Sequence, residues 1–306
     1  MTNWLDFLEE EGISSDIIKD IELFKAEHAL NAEYRSRIPD PQYLYYGKET
    51  WEKALCGILA GENLLLAGPK ATGKNVLAQN LAAVFERPVW DVSFHINVDS
   101  SWLVGTDTYD GEKVVFRQGP VLECAINGGF GVLDEINMAR NEALAVLHSV
   151  LDFRRVLDVP GYERTKLDPV TRFIATMNYG YAGTRDLNEA LCSRFAVIDM
   201  PVIEQEDLKR LITREFEDIN PKMCDQFVQL YKEIEKKAKS AEITERALDI
   251  RGLLGAIGLM KKGIQAGPAI SMCIVNKTFD SYERKLVQDV VDARIPAELD
   301  RKVIFA

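Results

Sequence analysis

The sequence predicts an α/β fold: a mostly parallel sheet covered by helices, followed by a smaller all-helical domain. Two observations carry this. Between Tyr43 and Pro201, short apolar runs alternate with amphipathic helical stretches, the pattern of strands and crossover helices in a parallel sheet. Beyond Pro201, helical periodicity continues to about residue 295 with no convincing strand. The chain has 306 residues, room for one large domain or two ordinary ones, and its 47% hydrophobic and 28% charged content is that of a globular protein with a real core.

Taken in order, Ile13, Ile17, Ile18, Ile21 and Phe24 recur near a 3.6-residue period and predict helix in the first forty residues. "RIPDPQ" (37–42) breaks that pattern with two prolines. Strands are expected at 64–67, 89–92, 131–134, 173–176 and 197–200. "TDTYDGEKVVF" (106–116) carries Asp110-Gly111 between strand-like flanks, a hairpin signal, and "VPGYERTKLDP" (159–169) reads as a second hairpin or loop. "YKEIEKKAKSAE" (231–242) reads as a solvated helix face. The expected organisation is an N-terminal helical extension (1–44), an αβα core (45–202) and a C-terminal helical domain (203–306).

Composition excludes several classes. A net charge of −11 argues against a general nucleic-acid binder, because phosphate binding rests on Lys and Arg neutralising a polyanion. No run of about eighteen apolar residues predicts a transmembrane helix. The acidic start "MTNWLDFLEEEG" is unlike a secretory signal and predicts a cytoplasmic address. Cys56, Cys124, Cys192, Cys224 and Cys273 form no C-x-x-C pair, which predicts reduced, mostly buried thiols. His28, His95 and His148 are scattered and predict no metal cluster; His95 and Trp102 read as packing or loop residues.

The first chemical motif is "AGPKATGKNVLAQ" (67–79), which has the frame Gly68-x-x-x-x-Gly73-Lys74 of a phosphate-binding loop. It follows the apolar run "NLLLA" and opens a helix with Leu77, Leu81 and Val84, the context that distinguishes such a loop from a chance match. Its glycines let the backbone curl so that N–H groups point inward, the helix N-terminus adds partial positive charge, and Lys74 adds a full one. The binding stretch is therefore Gly68, Pro69, Lys70, Ala71, Thr72, Gly73, Lys74, Asn75 and Val76. Asn75 occupies the position where a Ser or Thr hydroxyl holds Mg²⁺; its carboxamide oxygen is a longer neutral ligand for the metal, or holds a water there.

"GGFGVLDEIN" (128–137) ends an apolar strand in Asp134-Glu135, two carboxylates at the strand edge where ligands of open α/β sheets collect. Asp134 is expected to hold Mg²⁺ through water and Glu135 to polarise the water that attacks a γ-phosphate.

Together these motifs resemble the AAA+ ATPases, specifically their MoxR-like and dynein-related branch. Residues 99–152 and the segment "RFIATMNYGYAGTRDLNEALCSRF" (172–195) follow that branch closely, and the resemblance is tight from about Tyr45 to Pro201. It implies ATP and Mg²⁺ as ligands. Asn178 resembles the sensor-one residue between the acidic pair and the γ-phosphate. Arg194, in "NEALCSRF", resembles the arginine finger that reaches a neighbouring subunit's nucleotide, with Arg185 a weaker second choice. "YYGKETW" (45–51) resembles the segment against adenine, through Tyr46 and Gly47. Sensor two falls on Arg251 or, in another register, on Arg246. Hairpins of this branch project toward the ring's pore or its partner.

The resemblance implies a homo-oligomeric ring, hexameric, that hydrolyses ATP and remodels a protein client, with a partner carrying a von Willebrand A domain; Asn75 predicts that the hydrolysis is slow. A second reading is a nucleotide-dependent scaffold with little or no turnover, favoured by Asn75 and opposed by Asp134, Glu135, Asn178 and Arg194 together. A third, a nucleic-acid motor subunit resembling GTP-driven restriction ATPases, fits the acidic balance poorly.

Overall fold

A computed structural model describes residues 3–158, 164–179 and 187–305. The chain divides into two compact units, Met1–Pro201 and Val202–Ala306.

The first unit opens with two helices, α1 (Trp4–Glu10) and α2 (Ser15–Glu27). Ser14 caps α2 by accepting from the Ile17 N–H. These helices are anchored by rings: Phe7 packs edge-on against Trp51 and Tyr46, and Phe24 against Phe85 at 5.0 Å. Arg37 stacks over Trp90 at 4.7 Å. Helix α3 (Lys48–Leu59) follows, then strand β1 (Leu64–Gly68) and helix α4 (Lys74–Val84).

The remaining strands are β2 (Val89–Ser93), β3 (Gly105–Tyr109), β4 (Val114–Gln118), β5 (Phe130–Asp134), β6 (Val156–Leu157), β7 (Thr165–Lys166), β8 (Arg172–Asn178) and β9 (Ala196–Asp199). Five of them form one all-parallel sheet in the order β2-β5-β8-β1-β9. Leu64, Leu65 and Leu66 of β1 are fully buried, as expected of a strand covered on both faces. One face packs Leu65, Leu133, Phe173 and Ala175 against Leu122, Leu147, Val150 and Leu191. The five sheet strands and the αβα fold match the sequence expectation to within two residues at each end.

β3 and β4 make the first expected hairpin, whose turn is closed by Asp110 accepting from the Glu112 and Lys113 N–H groups at 3.0 Å. β6 and β7 pair antiparallel across the second; residues 159–163 between them lie outside the described set.

The second unit is helical, with helices Gln205–Glu215, Pro221–Lys239, Ile250–Lys261, Ala266–Cys273, Ser281–Arg294 and Arg301–Ile304. Asn220, Asp249, Asp280 and Asp300 cap four of them with side-chain oxygens. The charged stretch 231–242 is only partly solvated: Tyr231, Ile234 and Glu235 are buried, and Glu235 is held by Lys232 and Lys239 at 2.9 and 2.5 Å. All five cysteines are free, but only Cys124 and Cys224 are buried, while Cys56 is exposed on α3. Trp102 is half exposed. No helix among the described residues is long and apolar enough to cross a membrane.

Candidate functional site

The glycine-rich loop joins β1 to α4. Gly73 takes the left-handed conformation (φ 81°, ψ 16°) that directs the chain from loop into helix, and a Cβ there would come within 3.0 Å of the Tyr45 ring. The N-cap position of α4 is this glycine, which has no side chain to cap the helix. Lys74, only 7% exposed, folds its ammonium back into the loop, donating to the Gly68 and Pro69 carbonyls at 2.9 and 2.6 Å and to the Thr72 hydroxyl at 3.3 Å. Thr72 in turn donates to the Pro69 carbonyl at 3.0 Å. Lys70 and Asn75 are exposed, and Ala71 also has positive φ (62°). A helix N-terminus with a glycine N-cap and a neighbouring ammonium is a donor set that fits a polyphosphate.

Parallel register assembles the carboxylates beside this loop. β8 lies between β1 and β5, with Asn178 opposite Gly68 and Ala175 opposite Leu133. Asn178 therefore ends its strand between the loop and the acidic pair. Its Nδ2 donates to Glu135 Oε1 at 3.1 Å, and its carbonyl accepts from Asn137 Nδ2 at 3.0 Å. Glu135 is a non-glycine residue in the left-handed region (φ 55°, ψ 43°), a conformation that persists only where surroundings over-determine it. Thr176, 1% exposed, donates from Oγ1 to Asp134 Oδ1 at 2.6 Å and accepts from the Glu135 N–H at 3.0 Å.

Among the described residues no group of three or more His, Cys, Asp or Glu is placed to hold a metal ion. Asp134 alone beside the glycine-rich loop fits Mg²⁺, which takes one or two carboxylates, substrate phosphates and water rather than an all-protein cage.

Arg194 stands elsewhere. Ala196, two residues on, pairs with Leu64 at the start of β1, roughly 13 Å along the strand from Gly68. The Arg194 guanidinium donates to the His148 carbonyl at 3.1 Å and to the Ala190 carbonyl, and lies 3.7 Å from Asp152. Asp152 also receives Arg154 at 2.6 Å, and that hydrogen-bonded pairing holds its carboxyl below the usual range. Burial, then the Arg194 charge, pushes the His148 imidazole down. Arg185 lies outside the described residues.

Tyr46 is buried against Phe7, and the Gly47 N–H donates to Glu11 at 3.0 Å; the ring lying against the loop is Tyr45. Asn80, fully buried on α4, secures that segment by accepting from the Tyr45 N–H at 2.8 Å and donating to the Tyr43 carbonyl at 2.9 Å. In the second unit Arg251 is almost fully exposed, 3.8 Å from Asp249, while Arg246 lies over the Phe279 ring at 5.8 Å. Sequence reasoning missed Thr176, Asn137, Tyr45 and Asn80. A threonine two places before the strand-ending Asn178 was the one signal for the first of these, since residues i and i+2 of a strand share a side.

Residues 63–195 match the family model described as AAA domain (dynein-related subfamily). An uncharacterized protein YojN of Bacillus subtilis (strain 168) is 31% identical over 290 residues, covering 93% of this chain and 95% of the relative. An uncharacterized protein SH1500 of Staphylococcus haemolyticus is 31% identical over 257 residues, covering 82% of this chain and 97% of its own. Among solved structures, a RuvB mutant of Thermotoga maritima aligns with a TM-score of 0.49 and 14% identity, over 84% of this chain and 72% of that one.

Proposed function

Since the chain belongs to the AAA family, in its dynein-related subfamily, we propose that it binds and hydrolyses ATP with Mg²⁺ and uses that cycle to remodel a protein. The observation that carries this reading is the adjacency of Lys74's loop, Asn178 and the Asp134-Glu135 pair along one sheet edge.

In the proposed site the stretch Gly68, Pro69, Lys70, Ala71, Thr72, Gly73, Lys74, Asn75 and Val76 cradles the phosphates through its backbone N–H groups, of which Pro69 has none. Lys74 then exchanges its loop carbonyls for phosphate oxygens. Asp134, with Asn75 directly or through water, holds Mg²⁺, whose charge offsets that of the phosphates. Glu135 takes the proton of the attacking water, and Asn178 fixes the carboxylate that does so. Tyr46 and Gly47, with Tyr45 beside them, border the base, and Arg251 serves as the cation of the helical domain, Arg246 being the alternative.

Arg194 starts from the sheet edge opposite its own loop, which supports a finger acting on a neighbouring copy's nucleotide and hence a homo-oligomeric ring, a hexamer in our reading. The finer assignment is to the MoxR-like branch: a cytoplasmic chaperone acting with a von Willebrand A domain partner. A specific observation favours a second reading, a nucleotide-dependent scaffold with little turnover, namely the exposed Asn75 where a hydroxyl is usual.

The test is phosphate release from ATP by the purified protein and by Glu135→Gln, alongside binding of a fluorescent ATP analogue. Mg²⁺-dependent hydrolysis lost in the variant, with binding retained, supports the first reading. Binding without hydrolysis in both supports the second, and binding in neither sinks both.

A further inference from the structure

We infer that Thr176 is a positioning residue of this site: its hydroxyl sets the division of labour between the two carboxylates, committing one oxygen of Asp134 and locking the backbone of Glu135. The inference rests on the proposed hydrolytic reading and deepens it.

A threonine hydroxyl has one proton to donate and lone pairs to accept with. Asp134 Oδ1, 2.6 Å away, is an acceptor when ionised, so the Thr176 proton points to it; that distance is typical of a hydroxyl donating to a carboxylate. The lone pairs are then free for the Glu135 N–H at 3.0 Å. One buried atom therefore binds consecutive residues in two different ways. The first bond occupies one Asp134 oxygen, leaving the other to the metal side. The second pins the left-handed backbone of Glu135 (φ 55°), which carries its carboxylate toward Asn178. Thr176 and Asn178 alternate with Met177 along β8, so the two residues gripping Glu135 share one side of the strand. With Thr176 only 1% exposed, solvent is a poor substitute for its hydroxyl.

The experiment compares Thr176→Val, which keeps the shape, with Thr176→Ser, which keeps the hydroxyl. A fluorescent ATP analogue is titrated first in EDTA, then at fixed concentration against Mg²⁺; kcat and KM for ATP are measured separately, and melting temperatures accompany both. Expected for Thr176→Val are metal-free affinity within about twofold of wild type, a half-saturating Mg²⁺ concentration raised about tenfold, and kcat lowered about tenfold with little change in KM, the usual size of effect when a ligand's supporting partner is lost. Thr176→Ser should restore the Mg²⁺ requirement and kcat to within about threefold.

A Thr176→Val protein with wild-type Mg²⁺ requirement and kcat overturns the inference. So does failure of Thr176→Ser to rescue, which makes the effect one of shape, or a fall in metal-free affinity parallel to melting temperature, which makes it one of folding. Should Thr176→Val not fold, Thr176→Cys, with a weak thiol donor of similar bulk, takes its place under the same criteria. If the wild type itself hydrolyses no ATP, the hydrolytic reading fails, while the Mg²⁺ titration still reads whether Thr176 aims Asp134.

Discussion

The two edges of the five-stranded sheet are built alike and charged differently. Each has a buried polar hub. At the C-terminal edge, Thr176 joins Asp134 to Glu135 across two strands. At the N-terminal edge, Asn63 accepts from the Phe173 N–H at 2.9 Å and donates to the Leu151 carbonyl at 3.3 Å, while its own carbonyl accepts from the Ala196 N–H at 2.8 Å. The first hub organises carboxylates beside a lysine. The second gathers the segments bearing Asp152, Arg154 and Arg194. Because every strand of a parallel sheet points the same way, loops at one edge are separated from those at the other by a strand's length. The sheet's polarity thus keeps the guanidiniums from the glycine-rich loop of the same chain, and the proposed reaction needs both.

The largest expected effect is at the C-terminal edge. Lys74→Ala should abolish nucleotide binding, measured with a fluorescent analogue, while circular dichroism stays native. Unchanged affinity would remove the loop from the site. Next, Arg194→Ala should bind ATP normally but turn it over about a thousandfold more slowly, the scale of an arginine finger. Mixed with Lys74→Ala subunits it should regain activity, since each variant supplies the edge the other lacks; no rescue at any ratio, with mixed assembly demonstrated, would dissolve the functional contrast between the edges.

Glu135→Gln should bind ATP and slow hydrolysis by about a hundredfold or more, because the amide keeps the shape but cannot take the proton. Asn63→Ala tests the other hub: leaving two buried partners unpaired should cost about 2–4 kcal/mol in urea unfolding, with the carboxylates at the far edge intact. Smallest is Asn75→Thr, expected to raise turnover a few-fold, roughly, and to tighten the Mg²⁺ requirement, as a hydroxyl suits the octahedral ion better than the longer carboxamide. A slower Asn75→Thr at every Mg²⁺ concentration would identify the asparagine as an adapted ligand.

What was legible in the sequence was whatever rests on neighbours along the chain. The strands announced themselves as apolar runs, and the glycine-rich turn from β1 into α4 as glycines at fixed spacing before a helix. The contacts of Thr176 with Asp134 and Glu135 span 42 and 41 residues and depend on parallel register, which no local pattern encodes. Tyr45 and Tyr46 are adjacent and chemically identical; which ring meets Gly73 is set by distant partners, Asn80 and Trp51 on the Tyr45 backbone and Phe7 on the Tyr46 ring. Glu235 sat in a run of charges that reads as solvated, and two flanking lysines on the same helix let it be buried.

Gly68 opens the glycine-rich loop, yet its other neighbour is the end of β9. A Cβ at 68 would lie 2.9 Å from the Met200 carbonyl, and the Met200 N–H donates to the Ala67 carbonyl at 2.7 Å. If the proposed site binds an anion, the position answers to two selections at once, one for that binding and one for the fit of adjacent strands. In a lineage that abandoned nucleotides, Lys74 and Glu135 would be free to drift, whereas Gly68 would stay fixed, a fossil of the loop preserved by the sheet.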